Sequence, residues 1–297
     1  MKPILYLSFL AAGVCFGSES AVDLRAAALT SISAGDYNNA AQLLERSIEI
    51  RRVSGESTDA SFARAVNDLG LVRRLQGQYS EAERLYRAAL DAAAQTLGTS
   101  HPDYATVLNN LGQLEFIRQH WNKAEAFYRE ALGIWTKALG ADDPAVGSAL
   151  ANFGALYQAQ GRYTEAEKYL KQALELDTRV NGAVHASVAN DLSNLAVLAC
   201  ARKQYEAAEA LFRRALVLRE RTVGTAHPDY ASTALNLARL CQRQGRYSEA
   251  RSLYETSLPV LERSWGASSP RLVTWLRSYD HLPPHDGQKN SFSAKRN

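Results

Sequence analysis

The chain has 297 residues, with 34 basic and 31 acidic side chains and a formal net charge of +3. At 46% hydrophobic residues it can bury a sizeable core, unlike a disordered chain, and three cysteines are too few to staple a disulfide-built miniprotein. Aromatic residues make up only 9% while alanine abounds, which favours closely packed helices, and the charge is too weak and scattered for a nucleic-acid surface.

Residues 1–20 read as a targeting segment. Lys2 precedes an apolar run from Ile4 to Phe16, interrupted only by Ser8, and Gly17, Ser18, Glu19 and Ser20 follow. A basic start, an apolar stretch of this length and a small-residue exit describe a secretory signal peptide. The run is shorter than the ~20 residues a transmembrane helix needs. Two competing readings stay open, an uncleaved anchor and a lipoprotein acylated at Cys15, although Val14 stands where the latter signal wants a smaller residue. No later segment is apolar enough to span a membrane, so the mature protein is expected to be exported, to the periplasm or beyond. Cys200 and Cys241 are expected to be small buried hydrophobes, with a disulfide between them as the alternative.

A 42-residue period organises the rest. Gly77-Gln78-Tyr79, Gln119-His120-Trp121, Gly161-Arg162-Tyr163, Lys203-Gln204-Tyr205 and Gly245-Arg246-Tyr247 punctuate it in register. Behind each aromatic come a small residue (Ala82, Ala124, Ala166, Ala208, Ala250), a bulky one (Tyr86, Tyr128, Leu170, Phe212, Tyr254) and another small one (Ala89, Ala131, Ala173, Ala215, Ser257). Ahead of it stand Leu69-Gly70, Leu111-Gly112, Phe153-Gly154, Leu195-Ala196 and Leu237-Ala238. The stripe Leu108, Leu111, Leu114 and the stripe Ala124, Tyr128, Ala131 have helical spacing. Each unit is therefore expected to be two antiparallel helices that approach closely at the small residues, with the bulky side chain filling the gap between units. Gly98, Gly140, Gly182, Gly224 and Gly266 suit helix ends, and Pro102, Pro144, Pro228 and Pro270 suit helix starts.

In chain order this predicts a signal peptide over 1–20 and an array over 21–282. Its units fall near 21–56, 59–98, 101–140, 143–182, 185–224 and 227–266, closed by a capping helix over 271–281 and followed by a flexible tail over 283–297. The first unit is the loosest, carrying Gly35, Tyr37, Ala40, Leu44 and Ser47 in register. The last helix stands alone because a terminal repeat must shield the apolar end of the stack.

The Leu-Gly pair, the spaced alanines and the intervening aromatic resemble the tetratricopeptide repeat. The 42-residue period, with His101-Pro102-Asp103-Tyr104-Ala105 recurring at His227-Pro228-Asp229-Tyr230-Ala231, is similar to the kinesin light chain variety. The resemblance covers residues 21–282. It implies an all-α, right-handed superhelix (an α-solenoid) of about six helix-turn-helix repeats plus a capping helix, whose concave face binds peptides or proteins. No heptad coiled coil joins a motor subunit and a leader is present, so a cargo-adaptor role is not expected.

In such repeats the first helix of each pair lines the groove. The position before the Leu-Gly pair reads Asp68, Asn110, Asn152, Asn194 and Asn236, a polar ladder stepping by 42. Asparagine offers a donor and an acceptor, so it can pair with a peptide backbone without reading side chains, and the resemblance implies that role. Bracing between neighbouring helices is the competing reading. Arg64, Asn67, Arg74, Asn109, Gln113, Gln158, Arg239, Gln242 and Arg243 are also expected to face the groove. Arginines gather at its two ends, which suits a ligand acidic near its termini, unless they are ordinary solvated charges.

The chain lacks a phosphate loop, a Gly-x-Ser-x-Gly elbow and a His-Glu-x-x-His metal motif. His101, His185 and His227 share one inter-repeat position and are expected to cap helices. His281, His285 and Asp286 form at best a loose metal set. The expectation is a non-catalytic scaffold with no cofactor and no metal, whose partner is an unidentified peptide or protein. The alternative is a structural subunit of the cell envelope that assembles through its convex face or its ends.

Overall fold

A computed structural model describes residues 20–56, 59–267 and 269–283. The leader up to residue 19 and the tail after Pro283, with His285 and Asp286, lie outside the described residues. Among these residues there are thirteen helices and no strand. The chain runs α1 (Ala21–Ser33), α2 (Tyr37–Val53), α3 (Ala60–Leu75), α4 (Tyr79–Thr96), α5 (Pro102–Ile117), α6 (Trp121–Leu139) and α7 (Pro144–Ala159). It continues with α8 (Tyr163–Asn181), α9 (Ala186–Ala201), α10 (Tyr205–Thr222), α11 (Pro228–Arg243), α12 (Tyr247–Trp265) and α13 (Pro270–Asp280).

Each aromatic of the Gly-x-aromatic punctuation opens the second helix of a pair. The residue two before it turns the chain through the left-handed region, with φ +76° at Gly35, Gly161 and Gly245 and +82° at Gly77. Gln119 and Lys203 hold the same conformation at φ 63° and 61° despite carrying a Cβ. The three inter-repeat histidines cap as expected. Nδ1 of His101, His185 and His227 accepts a hydrogen bond from the backbone N–H of Asp103, Ser187 and Asp229 respectively.

Within a pair the glycine of the Leu-Gly step is occupied by the bulky residue of the second helix. A Cβ added at Gly70 would stand 2.7 Å from the Tyr86 ring, and one at Gly112 2.6 Å from the Tyr128 ring. At Gly154 it would stand 2.4 Å from Leu170 Cδ2. The bulky side chain thus seats inside its own pair first, and only its far edge reaches the next, as where Tyr128 meets Phe153 at a ring-centroid distance of 5.9 Å. Tyr86 and Tyr254 are fully buried, and burying a side chain of this size stabilises by roughly 1.5–3 kcal/mol. In α13 the same register position is the exposed Asp280, and no further helix packs there among the described residues.

First helices of successive pairs touch one another (α3 with α5, α5 with α7, α7 with α9, α9 with α11), whereas second helices of successive pairs make no comparable contact. The first helices therefore line the inside of the curve. The curvature brings the two ends together. Gly35 packs on Pro228, 193 residues further on, and Gly77 packs on Pro270, again 193 residues on. The interval is about four and a half 42-residue units, so the sixth unit and the capping helix come round onto the first and second units. His227 reaches across this seam to the Ser33 carbonyl at 2.8 Å. Ala28, Tyr37 and Leu44 of the first unit share one apolar cluster with Leu272 and Tyr279 of the capping helix.

Candidate functional site: the inner wall of the array

The ladder positions fall on the inner helices in register, yet they are not five equivalent rungs. Arg25 Nε donates to Asp68 Oδ2 at 2.7 Å, Asn110 Nδ2 to Asn67 Oδ1 at 2.8 Å, and Asn152 Nδ2 to Asn109 Oδ1 at 2.7 Å. Each bond spans 43 residues and ties one inner helix to its predecessor. Asn67, Asp68, Asn109 and Asn110 are buried. Burial pushes the Asp68 carboxyl above the usual carboxylate range, against the pull of the Arg25 guanidinium.

The expectation of a uniformly exposed asparagine ladder is corrected here for its lower three rungs, which brace the stack. The physical reason is legible one residue out of register. The residue 43 before Asn110 or Asn152 is another asparagine, and Arg25 precedes Asp68 by the same interval. The residue 43 before Asn194 is Ala151, which has no polar atom to offer. Ser193 precedes Asn236, and its hydroxyl is used on the Ala189 carbonyl at 2.8 Å. Asn194 and Asn236 are half-buried and stay outside the brace; Asn236 accepts only a 3.3 Å bond from Arg239.

The arginines divide in the same way. At the N-terminal end Arg64 Nε donates to Asp103 Oδ2 at 2.6 Å, and Arg25 is held by Asp68. These two ion pairs line a cavity of ≈360 Å³ together with Asn67 and Thr106. The expectation of free arginines at this end fails for Arg64, because a carboxylate from the next unit neutralises it. Arg74 is part-buried, and its Nε has no hydrogen-bond partner. Gln113 and Gln158 are half-buried on the inner helices. Gln242 is bonded on both sides, accepting from Tyr254 Oη at 3.2 Å and donating to the Ser278 carbonyl at 3.4 Å. Arg239 and Arg243 are exposed, and Arg239 lies over the Trp275 ring at 5.1 Å.

Cys200 and Cys241 are both free thiols, Cys241 fully buried and Cys200 partly so. Sequence reasoning missed a carboxyl pair between α8 and α9. Asp177 and Asp191 are both buried, and burial followed by the charge of Asp177 pushes Asp191 up to about 8. Their register positions elsewhere hold Trp135 and Arg219, or Ala149 and Thr233, so no repeat pattern signals the pair.

This inner wall, built from stacked helical hairpins, defines an α-solenoid scaffold. Profiles of the tetratricopeptide repeat family match residues 61–137, 115–179 and 185–263, and a second profile of the same family matches 25–96. The chain belongs to the tetratricopeptide repeat family, with 42-residue repeats of the kinesin light chain type. Among solved structures it resembles BtubC (BKLC) from P. vanneervenii, at 21% identity and a TM-score of 0.52 over 92% of this chain and 97% of that one. It also resembles a kinesin light chain-like protein of Podosopora anserina with nearly identical TPR-like repeats. That match has 22% identity and a TM-score of 0.48, over 68% of this chain and 95% of the other. No curated protein sequence matches it. Proteins of this family are scaffolds for protein–protein interaction, and the fold is generally non-catalytic. No helix among the described residues is long and apolar enough to cross a membrane.

Proposed function

We propose that the chain is an exported, non-catalytic scaffold that holds a segment of a partner protein against its inner wall, toward the C-terminal half of the array. The observation that carries this reading is the asymmetry of the ladder. Asn194 and Asn236 keep amide groups that no neighbouring helix claims, while the lower rungs are consumed by bracing. A free amide beside an extended backbone can donate to a carbonyl and accept from an N–H, which holds a strand without reading its side chains. Export rests on the leader read from residues 1–20 and is tested by sequencing the N-terminus of the mature protein.

The test of the groove is a photo-crosslinking residue placed at 194 or at 236 in the full chain, in its native envelope. A partner captured from both positions, and no longer recovered by pull-down with the Asn194→Ala/Asn236→Ala chain at unchanged helicity, is the expected result. Capture only from outward positions such as Glu130 overturns it in favour of assembly through the convex face.

A further inference from the structure

Beyond the repeats, the capping helix completes a cavity of ≈680 Å³ with α11 and the start of α12. Its wall carries Arg239, Arg243, Arg277 and His281, with Thr274 and Ser278 between them, and no carboxylate lines it. Most arginines with a partner elsewhere in the array face a carboxylate instead. On the outer helices, Arg87 pairs with Glu83, Arg129 with Glu125 and Arg213 with Glu209. On the N-terminal inner wall Arg25 and Arg64 are likewise matched, by Asp68 and Asp103, whereas Arg74 is not. Among the described residues, Arg239, Arg243 and Arg277 have no carboxylate partner.

We propose that this cavity receives a cluster of carboxylates, an Asp- or Glu-rich stretch of the bound partner. The inference rests on the protein-binding reading above and adds a polarity to it: the acidic end of the partner lies at the capping helix, not at the first repeat. A guanidinium presents a planar fork of donors that matches a carboxylate, and three around one cavity favour several adjacent carboxylates over an isolated one. Exposed guanidinium groups without carboxylate partners keep most of their donors available, so a ligand need not break an existing ion pair. Three of the lining residues, Thr274, Arg277 and Ser278, belong to α13 and His281 follows it, outside the repeats, so the site belongs to this chain's own cap.

The test uses the whole mature chain and a fluorescent hexaglutamate peptide, with hexalysine and inorganic phosphate as comparison arms. Saturable hexaglutamate binding that weakens at least tenfold in Arg243→Gln/Arg277→Gln, but not in Arg129→Gln, is the expected result. Circular dichroism confirms that each variant folds. Three outcomes overturn the proposal: no saturable hexaglutamate binding, equal binding of hexalysine, or equal binding by both variants. Phosphate binding in place of hexaglutamate assigns the cavity to phosphate groups and also overturns it. Crosslinks to a partner from positions 194 and 236 that survive Arg243→Gln/Arg277→Gln leave the scaffold reading intact while this one fails.

Discussion

His227 and Ser33 stand 194 residues apart in the chain and are joined by a 2.8 Å hydrogen bond, from imidazole Nε2 to the Ser33 carbonyl. The other ring nitrogen accepts from the Asp229 backbone N–H, which fixes the neutral ring with its proton on Nε2. His101 heads an identical His-Pro-Asp-Tyr-Ala motif and makes the same cap, but nothing crosses a seam there. The two histidines thus form an internal control. His101→Ala should cost about 1 kcal/mol, the worth of a helix cap. His227→Ala should cost a further ~0.5–1.5 kcal/mol, because the hydrogen bond across the seam is lost as well. Urea denaturation of both variants measures the difference. Small-angle scattering should show a larger radius of gyration for His227→Ala alone.

The lower braces should behave as coupled pairs. A double-mutant cycle on Asn67 and Asn110 should return a coupling of about 0.5–1.5 kcal/mol. Ala151→Asn restores the brace position below Asn194. It should stabilise the array by roughly 0.5–1 kcal/mol and reduce crosslinking of a partner from position 236, where Asn194 is still present. Equal crosslinking would show that the free amide is not what holds the partner.

Asp191 sets a slope of stability against pH. Its folded-state pKa, about 8, lies above the unfolded value of 3.8, so the folded chain binds its proton more tightly. The resulting cost is absent below the unfolded value, grows as pH rises and is complete once pH passes the folded value. Asp191→Asn keeps the size of the side chain and removes the charge. The variant should be more stable than the parent by a few kcal/mol at pH 8, and nearly equal to it at pH 4, as read from denaturant midpoints.

The turn positions give a pair of opposite effects. Gln119→Gly and Lys203→Gly relieve a positive φ in a residue with a Cβ, and each should stabilise by up to ~1 kcal/mol. Gly112→Ala drives a methyl against the Tyr128 ring and should destabilise by about 1–3 kcal/mol. Thermal unfolding monitored at 222 nm separates the two.

The helical pairs were legible because their cause is local. A left-handed turn, a small residue and the ring that covers it recur every 42 residues, and each leaves a mark in one dimension. The capping role of His101, His185 and His227 followed from the same register. The braces were harder to read because they join positions 43 apart, one step off the period used to find them. Arg277 escaped because the cavity it lines is built by a helix beyond the last full unit. The seam could not be read at all. It depends on how many units complete a turn, a sum of small rotations that no single residue encodes.

Closure of the turn also limits how this array can vary in length. An open solenoid gains or loses a hairpin by duplication or deletion with little effect on the remainder, since each layer meets only its neighbours. Here Gly35 and Gly77 find their prolines only when nine helices intervene among the described residues, α2–α10 in one case and α4–α12 in the other. Excising one internal hairpin would leave both glycines facing solvent and strand His227 away from Ser33. The number of hairpins is thereby tied to the ring as a whole, as the number of staves is fixed by the girth of a barrel.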